Sequence, residues 1–219
     1  MSLSELISKH SAHLLHVTNA YRGLEEKYAL LDTMLFDEAL VQKHKNRGFE
    51  VLRQALFFTC VVDIVNIACK KGGNKTPSIE GVASVFCNEE ILKYFHDEIV
   101  NHEAFVGYPS MQEKQSQKFW ENVGTTKAKI DCLLHSSQME AFETIRDKRI
   151  AHLELKKSGD EYELIDISTL GLKWVDIKLV LDDITTIIEN LNIVMTGSHI
   201  SKRDEINQKM RDGFWKQNK

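Results

Sequence analysis

Proline is nearly absent from this chain of 219 residues, with only Pro77 and Pro109 present. Because proline breaks helices by removing a backbone donor, its scarcity permits long uninterrupted helices. A glycine-rich phosphate loop is also missing, since Gly72-Gly73 follows a predicted helix where such a loop would precede one. The sequence therefore gives no support to a P-loop or Rossmann nucleotide site.

Cysteines at metal-ligand spacing are lacking, because none of the four forms a CxxC pair. Three of them lie in apolar surroundings, which predicts buried, reduced thiols and neither disulfides nor a zinc site. The cysteines are Cys60, Cys69, Cys87 and Cys132.

The chain has neither a basic excess nor an apolar run long enough to cross a membrane. Its formal net charge of -4 argues against indiscriminate binding to nucleic acid, although a local basic patch remains open. The most apolar segment, residues 55–69, falls short of about 20 residues and contains Asp63 and Asn66. The first residues carry charges and histidines where a signal peptide needs an apolar run. We expect a soluble cytoplasmic protein with no membrane partner.

Apolar residues spaced by three and four predict helices over most of the chain. The helix over 46–71 is apolar almost all round, so we expect it to be the most buried. After His152 the pattern alternates on both sides of Ser158-Gly159-Asp160, which predicts a β-hairpin. The fold class is therefore mainly α, a helical bundle with a small β-hairpin insert. We expect one helical domain over 1–200 and a charged tail over 201–219. The predicted helices cover 3–20, 21–45, 46–71, 79–86, 89–104, 111–134 and 137–151, with a last helix from 172.

Histidines outside the later motif are weaker candidates for chemistry. His10, His13 and His16 recur every three residues and could hold a metal, but the angular drift along the helix favours a structural role. His96 and His102 lie among acidic residues and suggest a second, similarly weak metal hypothesis. The sequence predicts no metal site.

The segment ETIRDKRIAHLELKK, residues 143–157, gathers cations around a single histidine, His152. Arginine offers phosphate oxygens a planar fork of donors, and histidine can move a proton near neutral pH. The structural alternative is that these cations only complement the dipole at a helix end. That alternative accounts for the charges but leaves the histidine unexplained.

Arg146, the polar Asp147 and, after four further residues, His152 resemble the motif of the HEPN superfamily. The sequence of this motif is especially similar to that of AbiU-like abortive-infection proteins of bacteria. Residues 51–79 also resemble the apolar helix and the TPSI-type segment of those proteins. The resemblance implies a metal-independent endoribonuclease without cofactor, acting as a toxin or phage-defence effector. It also implies a homodimer, with RNA as substrate and a cognate antitoxin as an expected partner. A family branch has a nucleotide-accepting tyrosine where this chain has Glu154, so that control is not expected here.

In this hypothesis Arg146 and His152 are catalytic, with Asp147, Arg149 and Asp63 in support. The RNA backbone would be bound by Lys148, Lys156 and Lys157. Asp63 lies in an apolar helix and needs a partner, either a structural one or a cation of the site. The alternative function is a catalytically inactive HEPN module that binds nucleotides, RNA or a partner protein.

The spacing within the motif sets a geometric condition. Six residues of continuous helix turn by about 600° and rise about 9 Å, so Arg146 and His152 would not share a face. Either the helix ends before His152, or two copies of the chain complete the site.

Overall fold

The structure, a computed structural model, describes residues 2–69, 76–147, 155–158, 161–164, 170–200 and 204–216. Helices dominate these residues, so the predicted mainly α class is confirmed. Short 3₁₀ turns at Ser84–Cys87 and Glu103–Phe105 follow the fourth and fifth helices. The helices are α1 Leu3–Phe36, α2 Glu38–Lys43, α3 Arg47–Ala68, α4 Ile79–Ala83, α5 Glu89–Val100, α6 Pro109–Leu134, α7 Ser137–Thr144, α8 Asp176–Thr196 and α9 Asp204–Lys216.

Two short strands lie between α7 and α8, in the interval where the sequence predicts a hairpin. They are β1, Leu155–Ser158, and β2, Glu161–Leu164. The strands pair antiparallel, with Leu155 opposite Leu164 and Ser158 opposite Glu161.

Helix α1 is longer than predicted, because it continues through the expected break at residues 20 and 21. Gly23 costs a helix about 1 kcal/mol, which a buried stripe on both sides of it offsets. The helix ends before Asp37, whose carboxylate accepts the Leu40 N–H at 3.0 Å and begins α2. The buried stripe comprises Leu14, Val17, Tyr21, Leu24, Tyr28 and Leu31.

The chain forms two compact units, and α1, α3 and α8 contribute residues to both. The first unit consists of Met1–Asn19, Ile67–Leu134 and Asp183–Ser201. Its core combines the start of α1 and the later turns of α8 with α4, α5 and α6, because each presents apolar residues at helical spacing. Representative buried residues are Val17, Val82, Phe95, Phe119, Ile130, Ile187 and Leu191.

The second unit consists of Ala20–Asn66, His135–Asp182 and Lys202–Lys219. Helix α9 lies here, within the segment expected to be a charged tail. The Trp215 ring lies 6.1 Å from the rings of His44 and Phe49, and Arg211 Nη1 lies 3.6 Å from Asp32 Oδ2. The core of this unit includes Leu24, Leu31, Val61, Ile64, Phe142, Ile145, Ile177 and Val180.

The prediction that α3 is the most buried helix is wrong. Its inner face is closed, with Cys60 and Ile64 fully buried, but Val51 is 58% and Leu52 40% exposed. Only 39% of its most apolar 18 residues are buried, at a mean hydropathy of 1.6. By length and composition α3 could cross a membrane, which is weak evidence because a core helix passes the same test. A helix whose sequence is apolar on every side can still be buried on only some of them.

The cysteines divide between interior and surface. All four are free thiols; Cys60 and Cys69 are buried, whereas Cys87 and Cys132 are exposed. The expectation of buried thiols is therefore wrong for Cys87, despite its apolar neighbours in sequence. Cys87 is the last residue of the 3₁₀ turn after α4, where the chain returns to the surface.

His10 is the most buried of the three N-terminal histidines, with 7% of its surface exposed. Its Nδ1 has no hydrogen-bond partner among the residues that the structure describes. Burial lowers the pKa of His10, and the nearby charges of His13 and Lys9 lower it further. The folded protein therefore favours the neutral ring.

We predict that His10 makes the fold sensitive to acid. Because its folded pKa lies below the unfolded value, its contribution is intact above about pH 6.5 and is lost as the pH falls below that value. Thermal denaturation at about pH 7.5 and about pH 5.5 should show a smaller loss of Tm for His10→Gln than for the unmodified protein. The exposed His16, changed to Gln, should keep the original pH dependence. Equal losses in the unmodified protein and His10→Gln would contradict this account.

Candidate functional site

Helix α7 brings Arg146 to its position through a defined start and an unusual end. The Ser136 hydroxyl accepts the Met139 N–H at 3.2 Å and caps the helix. The α-helical turns stop at Thr144, and residues 145–147 form a π turn. The helix predicted over 137–151 thus continues through residue 147, with a π turn at its end, and residues 148–151 lie outside the described part. A wider turn of this kind changes the direction of the side chains that follow, and π turns are frequent at functional sites.

The Arg146 side chain is buried and forms an ion pair with the next residue, Asp147. The residue is 9% exposed, next to the fully buried Ile145. Its Nε donates to Asp147 Oδ1 at 2.6 Å, and its Nη2 lies 2.5 Å from the same oxygen. Burial of a charge is costly unless a counter-charge is present, and Asp147 supplies one. The half-exposed Asp147 therefore holds the guanidinium at this position.

The guanidinium of Arg146 retains donor capacity. Nη2 is close to Asp147 Oδ1, but it has no hydrogen bond of acceptable geometry among the described residues. Both contacts of Arg146 go to the same carboxylate oxygen. The pair is therefore not bidentate, because two guanidinium nitrogens do not each bind an oxygen of their own. A planar fork of this kind suits a tetrahedral oxyanion such as phosphate.

The remaining predicted site residues cannot be placed around Arg146. His152, Lys148 and Arg149 lie outside the described residues. Lys156 and Lys157 lie in β1, where the backbone pairs them with Glu163 and Tyr162. Among the predicted residues, the structure brings together Arg146 and Asp147.

A protein-family model described as AbiU2, of the HEPN type, matches residues 5–212, nearly the whole chain. The chain belongs to the AbiU2 family of HEPN proteins. The resemblance seen at residues 146–152 is therefore confirmed, and the chain carries an abortive-infection-related HEPN domain. No curated protein and no solved structure matches it significantly.

Asp63 of this AbiU2 protein has a structural partner. Lys27 Nζ of α1 donates to Asp63 Oδ2 of α3 at 2.5 Å, with both side chains partly exposed. The sequence alone leaves open whether the partner is structural or part of a functional site. Nothing in the spacing of α1 distinguishes Lys27 from its other cations, because the pairing depends on how the two helices meet.

Two further ionisable groups of the second unit, Cys60 and Tyr28, have raised pKa values. Burial, and after it the charge of Asp63, raises the pKa of Cys60 to about 12, while Lys27 opposes the shift. Burial and the adjacent Asp32 raise the pKa of Tyr28, whose hydroxyl donates to Asp32 Oδ1 at 3.0 Å. Cys60 is therefore an inert core thiol with no nucleophilic role.

The histidines proposed as a second metal site are engaged in other contacts. His96 Nδ1 lies 2.9 Å from Asp97 Oδ1, and its Nε2 lies 2.8 Å from Ser116 Oγ. His102 Nδ1 accepts the Ala104 N–H at 3.3 Å. Both His96 nitrogens thus have partners, and the described residues contain no group of three metal-ligating side chains.

The Lys27–Asp63 pair should stabilise the fold measurably. We predict that Lys27→Met lowers the free energy of unfolding by about 1 kcal/mol, because Asp63 keeps its charge and loses its counter-ion. A double-mutant cycle with Asp63→Asn, measured by chemical denaturation, should give a coupling energy of about 1 kcal/mol. Lys118→Met, at an exposed position of α6, is the control and should be nearly neutral. A coupling energy near zero would mean that the pair contributes nothing.

Proposed function

We propose that this AbiU2 protein is a metal-independent endoribonuclease that acts in the cytoplasm as a toxin or phage-defence effector, under the control of a cognate antitoxin. One observation carries the proposal. A buried arginine, Arg146, is held by Asp147 at the end of α7, six residues before His152, in a chain of the HEPN family. The family supplies the context, and the arginine supplies an oriented cation for phosphate.

The proposed reaction uses the RNA as its own nucleophile. His152 takes the proton of a 2′-hydroxyl, and the freed oxygen attacks the adjacent phosphorus. Arg146 stabilises the additional negative charge on the phosphoryl oxygens. The bond to the 5′-oxygen then breaks, and a protonated imidazole donates to the leaving oxygen. The products are a 2′,3′-cyclic phosphate and a 5′-hydroxyl end.

The reaction needs both an acid and a base, which one histidine cannot be at the same moment. In the proposed homodimer two copies of the motif face a shared groove, so that one His152 accepts a proton while the other donates. The lysines at 148, 156 and 157 neutralise phosphates beside the groove, and the β1–β2 segment lies at its rim. Arg149, three residues before His152, positions the imidazole.

A catalytically inactive binding module is the alternative, and one observation favours it. Arg146 is mostly withdrawn from solvent and its contacts go to Asp147, which leaves little of it exposed to a substrate. A residue held in this way can be structural. Cleavage of RNA by the purified protein decides between the two functions.

We predict that His152→Ala abolishes RNA cleavage, because no other group replaces its proton transfer. Arg146→Lys keeps the charge near Asp147 but loses the fork, so it should reduce kcat by about 100-fold without unfolding the protein. Arg149→Ala should cause a partial loss. Gel assays on mixed RNA measure cleavage, and circular dichroism checks the fold. Full activity in His152→Ala would remove the enzyme hypothesis, whereas RNA binding without cleavage in the unmodified protein would support the binding module.

The chemistry of the products is a separate prediction. Mass spectrometry should find 2′,3′-cyclic phosphate and 5′-hydroxyl ends, and a strong chelator should leave the rate unchanged. RNA with a single 2′-deoxy nucleotide at the cleavage position should resist, because the nucleophile is missing. Chelator-sensitive cleavage that leaves 5′-phosphates would require a metal-activated water and a different site.

A further inference from the structure

Helices α5 and α6 bring a serine, a histidine and an aspartate into a hydrogen-bonded row within the first unit. His96 Nδ1 lies 2.9 Å from Asp97 Oδ1, and His96 Nε2 lies 2.8 Å from Ser116 Oγ. The imidazole thus lies between the carboxylate and the hydroxyl, with one ring nitrogen facing each. Serine, histidine and carboxylate in this order form the arrangement that makes a serine hydroxyl nucleophilic.

The carboxylate decides which nitrogen of the neutral imidazole carries the proton. An ionised carboxylate can only accept a hydrogen bond, so Nδ1 of His96 donates to Asp97 Oδ1. Nε2 of the neutral ring then has a free lone pair, and the Ser116 hydroxyl donates to it. The hydroxyl proton of Ser116 is therefore directed at a group that can remove it.

The Ser116 hydroxyl does not make the hydrogen bond that is common for hydroxyls within helices. Serine and threonine often donate to the carbonyl four residues earlier, as Thr126 of the same helix does to Asn122 O at 2.6 Å. Within the described part of the chain, the hydrogen bond of the Ser116 hydroxyl is the one to His96. Its orientation is therefore set by a contact between α5 and α6.

Two aromatic rings pack against the imidazole of His96. The Phe119 ring meets it edge to face at 5.4 Å between centroids, and the Trp120 ring is stacked on it at 5.7 Å and 28°. Phe119 is buried, whereas Trp120, one turn after Ser116 on α6, is 48% exposed. These contacts fix the ring on two regular helices, which hold a geometry better than loops do. The exposed Trp120 also offers an apolar surface beside the serine.

We propose that Ser116 is a nucleophile activated by His96 and Asp97, and that it hydrolyses small activated carboxylic esters whose aromatic ring packs on Trp120. The serine oxygen attacks the ester carbonyl while His96 Nε2 takes the hydroxyl proton. The protonated imidazole donates that proton to the departing oxygen, so that an alcohol leaves and acyl-Ser116 remains. Water then attacks the acyl group, and His96 passes a proton from the water to the serine oxygen as the carboxylic acid is released. Asp97 is a positioning residue that keeps the imidazole in the required tautomer.

The negative oxygen of the tetrahedral intermediate needs a hydrogen-bond donor. The N–H of Ser116 is used within the interior of α6, so an oxyanion hole made of backbone donors does not form there. Gln112, one turn before Ser116, supplies a side-chain donor instead. Its Nε2 contacts Asn101 Oδ1 at 3.4 Å, a long hydrogen bond that is readily exchanged for one to an oxyanion. With a single donor of this kind, we expect a slow hydrolase.

Labelling with a fluorophosphonate tests the nucleophile directly. The reagent forms a phosphorus–oxygen bond with an activated serine and releases fluoride, while the base takes the hydroxyl proton. Peptide mass mapping should find the adduct at Ser116 and not at Ser110, an exposed serine of the same helix. His96→Gln can still hydrogen bond but cannot take the proton, so labelling should fall by at least about 10-fold. An unlabelled Ser116 in the unmodified protein, or equal labelling in His96→Gln, would overturn the proposal.

Turnover is tested with 4-nitrophenyl acetate. Because exposed thiols also attack aryl esters, the assay uses a Cys87→Ser/Cys132→Ser background. Ser116→Ala should lower the rate of nitrophenol release by at least about 10-fold, whereas Ser110→Ala should leave it unchanged. Equal rates in the two variants would show that the ester is hydrolysed elsewhere and would refute the proposed turnover.

Asp97→Asn tests the positioning role. The amide can donate to Nδ1 of His96, which moves the ring proton to Nε2 and deprives Ser116 of its acceptor. Nitrogen NMR should find the proton on Nδ1 in the unmodified protein and on Nε2 in Asp97→Asn, with labelling of Ser116 lowered by at least about 10-fold. Undiminished labelling in Asp97→Asn would refute this role.

The structural alternative is that these hydrogen bonds only join α5 to α6. Ser116→Ala and His96→Gln would then lower Tm while Ser116 of the unmodified protein remained unlabelled, and the proposal would fail. The outcome does not depend on whether RNA is cleaved, because Arg146 belongs to the second unit and Ser116 to the first.

Discussion

The ion pair of Lys27 and Asp63 joins α1 to α3 at 2.5 Å within the second unit. It lets a carboxylate occupy a strongly apolar helix, one turn from a fully buried cysteine. Burial, and after it this carboxylate, raises the pKa of Cys60 to about 12, which disfavours the reactive thiolate. The two members of the ion pair act on this thiol in opposite directions, and burial remains the main cause of its raised pKa.

Arg146 solves the same electrostatic problem locally. Its counter-ion is the next residue in the chain, so the pairing needs no other element and is present wherever α7 ends in its π turn. Lys27 and Asp63, by contrast, hold only while α1 and α3 are packed together. The Arg146–Asp147 pair therefore depends on local chain geometry alone, whereas the Lys27–Asp63 pair depends on the packing of two helices.

Local features of the fold can be predicted from the sequence, and those that depend on packing cannot. Spacings of three and four locate most helices, and the motif from Arg146 to His152, placed at the end of a late helix in a mainly helical chain, indicates the family. The break predicted within α1 is wrong because Tyr21 and Leu24 continue a buried stripe past Gly23. Lys27 as the partner of Asp63 is not predictable, since composition does not say which faces of two helices meet.

The prediction for α3 is wrong about how much of the helix is buried, whereas its predicted ends are close to the observed ones. Its apolar composition indicates that burial of α3 would lower the free energy strongly. The fold buries only part of this apolar surface and leaves one face exposed. Exposed apolar area of this extent is costly for a soluble chain unless something covers it part of the time.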